Sequence, residues 1–240
     1  MGTSWANVIT DDALLIINDL RLNEELTVNP ALFFRKMSFY MKNAVPRFNR
    51  PPEMKQFLTY TEPSFADYTY TADGNKVENV TLETALTGYD LMSAGIMTQD
   101  VYGNPVYTPT DIASYDATTG IVTLSASAEA PIANGTEFSF DFYTDGTFDN
   151  ELSALQRRLL ALCLQYTWET AFVNDWLTRF PRAKDRSFDA GNVSSQVRAN
   201  TERINAVKRT LDDELANYEQ QSAYMQTVLE SDRQALSALL

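Results

Sequence analysis

Charge and hydrophobic period change together twice along this chain, and that coincidence limits its fold more than any single motif. Residues 65–146 hold twelve acidic side chains and one basic one, Lys76, a net charge of −11 in a chain of net charge −13. Residues 1–64 are balanced at seven of each sign, and residues 148–240 carry −2. The acidic stretch alternates apolar and polar residues with the period of a strand, and both flanks repeat with the period of a helix. The pattern predicts an α+β protein. Residues 1–64 and 148–240 would form an α-helical bundle with a long C-terminal helix, and residues 65–147 an inserted antiparallel β-rich module.

Local signals fill in this outline. Thr10-Asp11-Asp12 ahead of Ala13, Leu14, Ile17 and Leu20 reads as an N-cap with acids at the positive end of a helix. Asn29-Pro30 opens a second helix, proline suiting the first position, and Pro46 ends it. In the acidic stretch, Asp73-Gly74-Asn75, Gly103-Asn104-Pro105 and Thr119-Gly120 mark turns. Phe138, Phe140 and Phe142 would share one strand face, and short strands with frequent turns predict a sandwich or barrel-like module. Residues 89–97 read as strand or short helix. Leu152, Leu155, Leu159, Leu162, Tyr166, Ala171 and Leu177 fit one apolar helical face. Ser194-Ser195 would cap the last helix. Its seam joins Val197, Ile204, Leu211, Tyr218 and Met225 to a poorer second row, Thr201, Lys208, Leu215, Ser222, Leu229 and Leu236.

Composition narrows the chemistry. The chain has no histidine and one cysteine, Cys163. Histidine-based triads, the usual zinc sites and the commonest general base are therefore missing. No GxGxxG, GxxxxGK or CxxC motif occurs. Cys163, set among leucines, reads as a core residue. The reading is of a chain without catalytic residues, cofactor or metal. The acidic excess argues against tight clamping of nucleic acid, which draws on Lys and Arg, and suits a surface that DNA passes without sticking. No apolar run reaches the length of a membrane span, and the first residues lack signal-peptide character, so a soluble chain that is not secreted is expected.

Several clusters carry two readings. Arg179, Arg182, Lys184 and Arg186 are either a solvated turn after a helix or a contact for an acidic partner or DNA phosphate. Asp141, Asp145, Asp149 and Glu151 offer oxygen ligands, but their spacing is not that of an EF-hand, and a strand end before a helix start explains them. Phe57, Tyr60, Phe65, Tyr68 and Tyr70 are either a stacking surface or, more simply, one buried strand face. Trp5 and the proline-flanked links are candidates for contacts between subunits.

Across residues 114–168, Tyr-Asp-Ala-Thr-Thr-Gly-Ile-Val-Thr-Leu and Ala-Asn-Gly-Thr-Glu-Phe-Ser-Phe-Asp-Phe-Tyr-Thr-Asp-Gly-Thr-Phe precede a leucine-rich helix. This run resembles virion structural proteins of tailed bacteriophages. The two-helix opening, β insertion and helical return are similar to the head-to-tail connectors, or portal adaptors. The resemblance implies a homo-oligomeric ring, usually of twelve copies, seated under the portal protein in the virion neck and assembled in the host cytoplasm. Such a ring extends the channel for double-stranded DNA without sequence specificity, for packaging and ejection, and docks a tail or nozzle protein. Members commonly insert a C-terminal segment into portal clefts, which here implies contacts by Val228, Leu229, Leu236, Leu239 and Leu240. The acidic module would line the channel or face a tail protein. The insert is large for a small connector, so adaptor, stopper and tail-completion roles all stay open. Two rivals stand beside this: a tail-associated receptor- or carbohydrate-binding module, and a cell-wall hydrolase using Asp and Glu.

Overall fold

The computed structural model describes residues 2–71, 79–81, 90–99, 101–109, 112–116, 118–124, 135, 137–179 and 190–237. It is a mixed α+β fold with a long C-terminal helix and antiparallel sheets. Asp73-Gly74-Asn75 lies outside the described residues.

The chain divides into two compact units. The first comprises Met1–Asn18, Phe39–Tyr60 and Phe148–Leu240, and the second Asp19–Ser38 and Thr61–Thr147. The sequence reading assigned all of 1–64 to the helical portion, whereas this division places Asp19–Ser38 with the strands. Side chains of that segment bond to strand residues: Arg35 to Asp67, and Asn29 to Ser93.

The first unit begins with α1 (Trp5–Asn7), a π-helical turn (Val8–Ala13) and α2 (Leu14–Ile17). Ser4, not Thr10, is the cap, its Oγ accepting from the Asn7 N–H at 3.2 Å. Thr10 lies within the π turn and donates its hydroxyl to the Ala6 carbonyl, the back-bonding open to a threonine inside a helix. Asn18 adopts φ 48° and stops α2, since a left-handed residue cannot continue a right-handed helix. Leu20 therefore belongs to the next helix. Gly2 sits against the Phe148–Asp149 backbone, where an added Cβ would lie 1.9 Å from the Phe148 carbonyl oxygen, so no larger residue fits there unshifted. Its neighbour Thr3 is buried and accepts the Leu152 N–H at 2.7 Å.

In the second unit, α3 (Leu20–Val28) is capped by Asp19, and α4 (Pro30–Ala44) by Asn29, whose Oδ1 accepts the Leu32 N–H at 3.0 Å. The Asn29-Pro30 start is as the sequence indicates. The residues of α4 from Phe39 onward belong to the first unit, where a 3₁₀ turn (Val45–Arg47) and α5 (Met54–Phe57) follow.

The strands are β1 (Tyr60–Thr61), β2 (Ser64–Thr71), β3 (Asn79–Thr81), β4 (Asp90–Gln99), β5 (Pro105–Pro109), β6 (Ile112–Asp116), β7 (Ile121–Leu124), β8 (Glu137–Thr144) and β9 (Thr147–Phe148). Residues 89–97, left open by the sequence, fall mostly in β4. Within the second unit, one sheet runs β2-β8-β4-β5 and another β3-β7-β6, all pairs antiparallel. Phe138, Phe140 and Phe142 are fully buried on one face of β8, and Tyr115 of β6 packs against Phe142 at 5.0 Å between ring centres. The β6–β7 hairpin turns on Asp116. Its carboxylate accepts the Thr118 N–H and the Thr119 hydroxyl, both at 2.8 Å, and Gly120 supplies the positive φ of 72° that closes the turn. Those hydrogen bonds, led by the Thr119 hydroxyl, hold the Asp116 carboxyl below its usual range.

The aromatic series does not share one face. Phe65 pairs with Tyr143, while Tyr68 and Tyr70 pair with Phe140 and Phe138 on the other side of the sheet, and Phe57 lies in α5. The intervening residues of β2 reverse the direction of each successive side chain.

Two helices complete the first unit, α6 (Ala154–Arg179) and α7 (Ala190–Ser237). Ser153 and Gln156 form a reciprocal capping box at the start of α6. Leu159, Leu160, Ala161, Cys163 and Leu164 are fully buried, so the middle of α6 is enclosed nearly all round. Leu155, expected on the apolar face, is 38% exposed. Because α7 begins at Ala190, Ser194-Ser195 lies inside it and is not its cap.

Candidate functional site

Two features of the described residues stand out from simple packing: the stretch of α7 that runs past α6 and a cavity in the second unit.

α6 and α7 run antiparallel, and their register can be read from three cross-links. Arg203 grips Glu169 with Nε at 2.7 Å and Nη2 at 2.9 Å. Arg158 approaches Glu214 at 3.5 Å. Gln156 Nε2 donates to Tyr218 Oη at 2.9 Å. Between them, Leu211 and Leu215 are buried, and Val197, Asn200, Ile204, Val207 and Tyr218 are half-buried. The first row of the expected seam is thus present as far as Tyr218, but its partner row is Asn200 and Val207. Thr201 and Lys208 are exposed, because the helix turns about 100° per residue and puts them outside the stripe.

Since Gln156 near the start of α6 meets Tyr218, residues 221–237 of α7 extend beyond α6 by about 25 Å. Along this overhang Tyr224, Met225 and Leu229 are exposed, Leu229 at 63%. Of the predicted portal contacts, Leu229 is exposed, Val228 is half-buried and Leu236 lies in the last turns of α7. Leu239 and Leu240 are outside the described residues. So are Arg182, Lys184 and Arg186 of the basic cluster, and Arg179 is the last residue of α6.

The cavity has a volume of about 230 Å³, opens to solvent and has a mixed polar and apolar lining that includes Asn29, Leu32, Arg35, Met97, Tyr107 and Asp141. In the antiparallel register, Asp67 of β2 stands directly opposite the cavity's Asp141 on β8. Arg35 pairs with Asp67 and lies over the Phe65 ring, 5.2 Å from its centre. Buried Ser93 sits 3.1 Å from Asp141 Oδ2 and 3.2 Å from Asn29 Oδ1. Burial raises the Asp141 carboxyl above its usual range, Ser93 works against that, and the neighbouring Asp67 adds to it. Tyr107 packs on Gly95, whose missing side chain makes room for the ring. Its hydroxyl is buried without a well-formed hydrogen bond, with Ser93 beside it, and burial raises its pKa. Below this, Tyr143 donates to Asp145, and burial, then Asp145, raises the Tyr143 phenol.

Sequence reasoning took Asp141 as part of a strand end, beside readings as a metal ligand or hydrolytic acid, and did not single out Asp67, Ser93 and Asn29 together, since only strand register reveals their proximity. Among the described residues no three His, Cys, Asp or Glu side chains gather in a group that could hold a metal ion. A further cavity of about 560 Å³ in the first unit has a mixed lining that includes Lys55, Tyr60 and Asp149. Among the described residues no helix is long and apolar enough to cross a membrane. Compared with known proteins, the sequence matches no family model and no curated protein.

Proposed function

We propose that this chain is a noncatalytic subunit of a homo-oligomeric ring at the head-to-tail junction of a tailed bacteriophage. Twelve copies would sit under the portal as an adaptor in the virion neck, extend the DNA channel and offer the tail a docking platform. The observation that carries this reading is the overhang of α7, a helix that leaves Tyr224, Met225 and Leu229 in solvent well beyond its partner α6. An exposed apolar stripe on a helix of that length fits a groove on another subunit or on the portal. The net −11 over residues 65–146 supports passage of DNA, since like charge keeps the duplex from sticking to the channel wall.

Electron microscopy of the purified protein, alone and mixed with portal, tests this, with rings expected. A double substitution, Tyr224→Glu with Leu229→Glu, should leave the helical circular dichroism unchanged and abolish rings or portal binding. A strictly monomeric protein that never binds portal would count decisively against the proposal.

The cavity of the second unit favours a second reading, a carbohydrate- or receptor-binding module at the tail. Its Asp, Asn, Arg and Tyr lining offers the donors and acceptors that sugar hydroxyls use. Robust saccharide binding by the intact chain on a glycan array, lost on Asp141→Ala, would favour it over the ring.

A further inference from the structure

We infer that the outer edge of β2 is a docking site for an extended, basic strand of a partner protein, which adds to the β2-β8-β4-β5 sheet. The inference stands apart from the ring reading. It begins with the backbone. Among the described residues β2 lies at the end of its sheet and pairs with β8 alone. In an antiparallel pair every second residue turns its N–H and C=O away from its neighbour. Four of the eight residues of β2 therefore hold a donor and an acceptor out from the sheet, and no turn or loop backbone among the described residues bonds to them. Strand edges join other chains unless they are blunted by shortness, proline, lysine or a bulge. The two sheets of the second unit have four edges among the described strands, and three are blunted. β5 carries proline at both ends, Pro105 and Pro109, β3 is three residues long, and β6 shifts register against β7 between Ile112 and Ser114. β2 has none of these devices. It runs from Ser64 to Thr71 without proline or lysine and keeps register with β8 throughout.

The side chains along this edge decide what it accepts. β-Strand addition draws its affinity from main-chain hydrogen bonds and its specificity from alternate side chains. On one face stand Asp67, with Asp141 opposite it, and Thr71, with Glu137 opposite it, so three carboxyls lie beside the guanidinium of Arg35. The Asp67 side chain is 52% exposed, and a Lys or Arg on an incoming strand meets it there as an opposite-charge neighbour. On the other face Tyr68 and Tyr70 are half-buried beside Phe140 and Phe138. A β-branched residue packs well against such rings. The incoming strand therefore alternates basic or hydroxyl residues with Val or Ile. A second copy of β2 fits less well. It brings another Asp67, within a stretch of net charge −11 that repels its like.

Amide hydrogen exchange of the full chain, read by NMR, tests this with the end-blocked peptide Thr-Val-Lys-Val-Arg-Val-Thr as probe. In the free protein, protection along β2 should alternate, every second amide exchanging fast. The peptide should slow those fast amides, and the same peptide with Glu in place of Lys and Arg should bind about tenfold more weakly. Protection of all eight β2 amides in the free protein overturns the inference, because the edge is then already covered. Sedimentation as a dimer in that case identifies a second copy as the occupant. A basic peptide that leaves the fast amides unchanged, or an acidic one that slows them equally, overturns it as well. None of these outcomes depends on whether the protein forms rings.

Discussion

Cys163 shows how far one residue's surroundings reset its chemistry. It is fully buried in α6, and burial pushes its thiol up to about 12. Little thiolate then exists at pH 8, and thiolate is the reacting species. A thiol reagent should label the native protein far more slowly than the urea-unfolded protein, and equal rates would show that α6 opens readily. Phe140 belongs to the same class of packed residue. Phe140→Ala should lower the unfolding free energy by about 3–5 kcal/mol, measured by urea titration. Both were readable in sequence, Cys163 from its leucine neighbours and the phenylalanines from their period of two. The helix cap was not. Ser4 and Thr10 both precede apolar periodic residues, and what separates them is a π-helical turn around Thr10 that no residue pattern announces.

At the level of elements, the α6–α7 pair depends on polar contacts as much as on leucines. Glu169 is 2% exposed and its partner Arg203 has a side chain 58% exposed. Removing the arginine strands a buried carboxylate, which costs about 3–5 kcal/mol in a fully enclosed pair. Water around Arg203 reduces this, so Arg203→Ala should cost about 1–2 kcal/mol, and Arg203→Lys, which keeps the charge but loses the forked grip, less. Thermal unfolding at matched concentration measures both. The helical period of α7 was plain in the sequence, but its seam partner was not. Val207 is more apolar than Lys208 but Asn200 is more polar than Thr201, so the two rows gave a mixed signal, and the bond from Arg203 to Glu169 of α6 shows how the helices are clasped. Likewise α3 was hidden, because the left-handed Asn18 splits what reads as one apolar run.

For the whole chain, the α+β class and the acidic, strand-rich middle followed from charge and period alone, since both are sums over many residues and tolerate local error. The cavity did not, because Asp67, Ser93 and Asp141 meet only through strand register, and Asn29 reaches them from a helix start. The overhang was half legible. Its leucines were noticed, but how far they clear α6 depends on where the two helices are clasped. That clasp has an engineering corollary. A slip of one heptad would leave Glu169 without its arginine and Gln156 without Tyr218, so these side chains gauge the reach of the tip. Residues inserted after Ser222 should therefore lengthen the protruding rod by about 1.5 Å each while the clasped portion keeps its alignment, and deletions there should shorten it by the same increment.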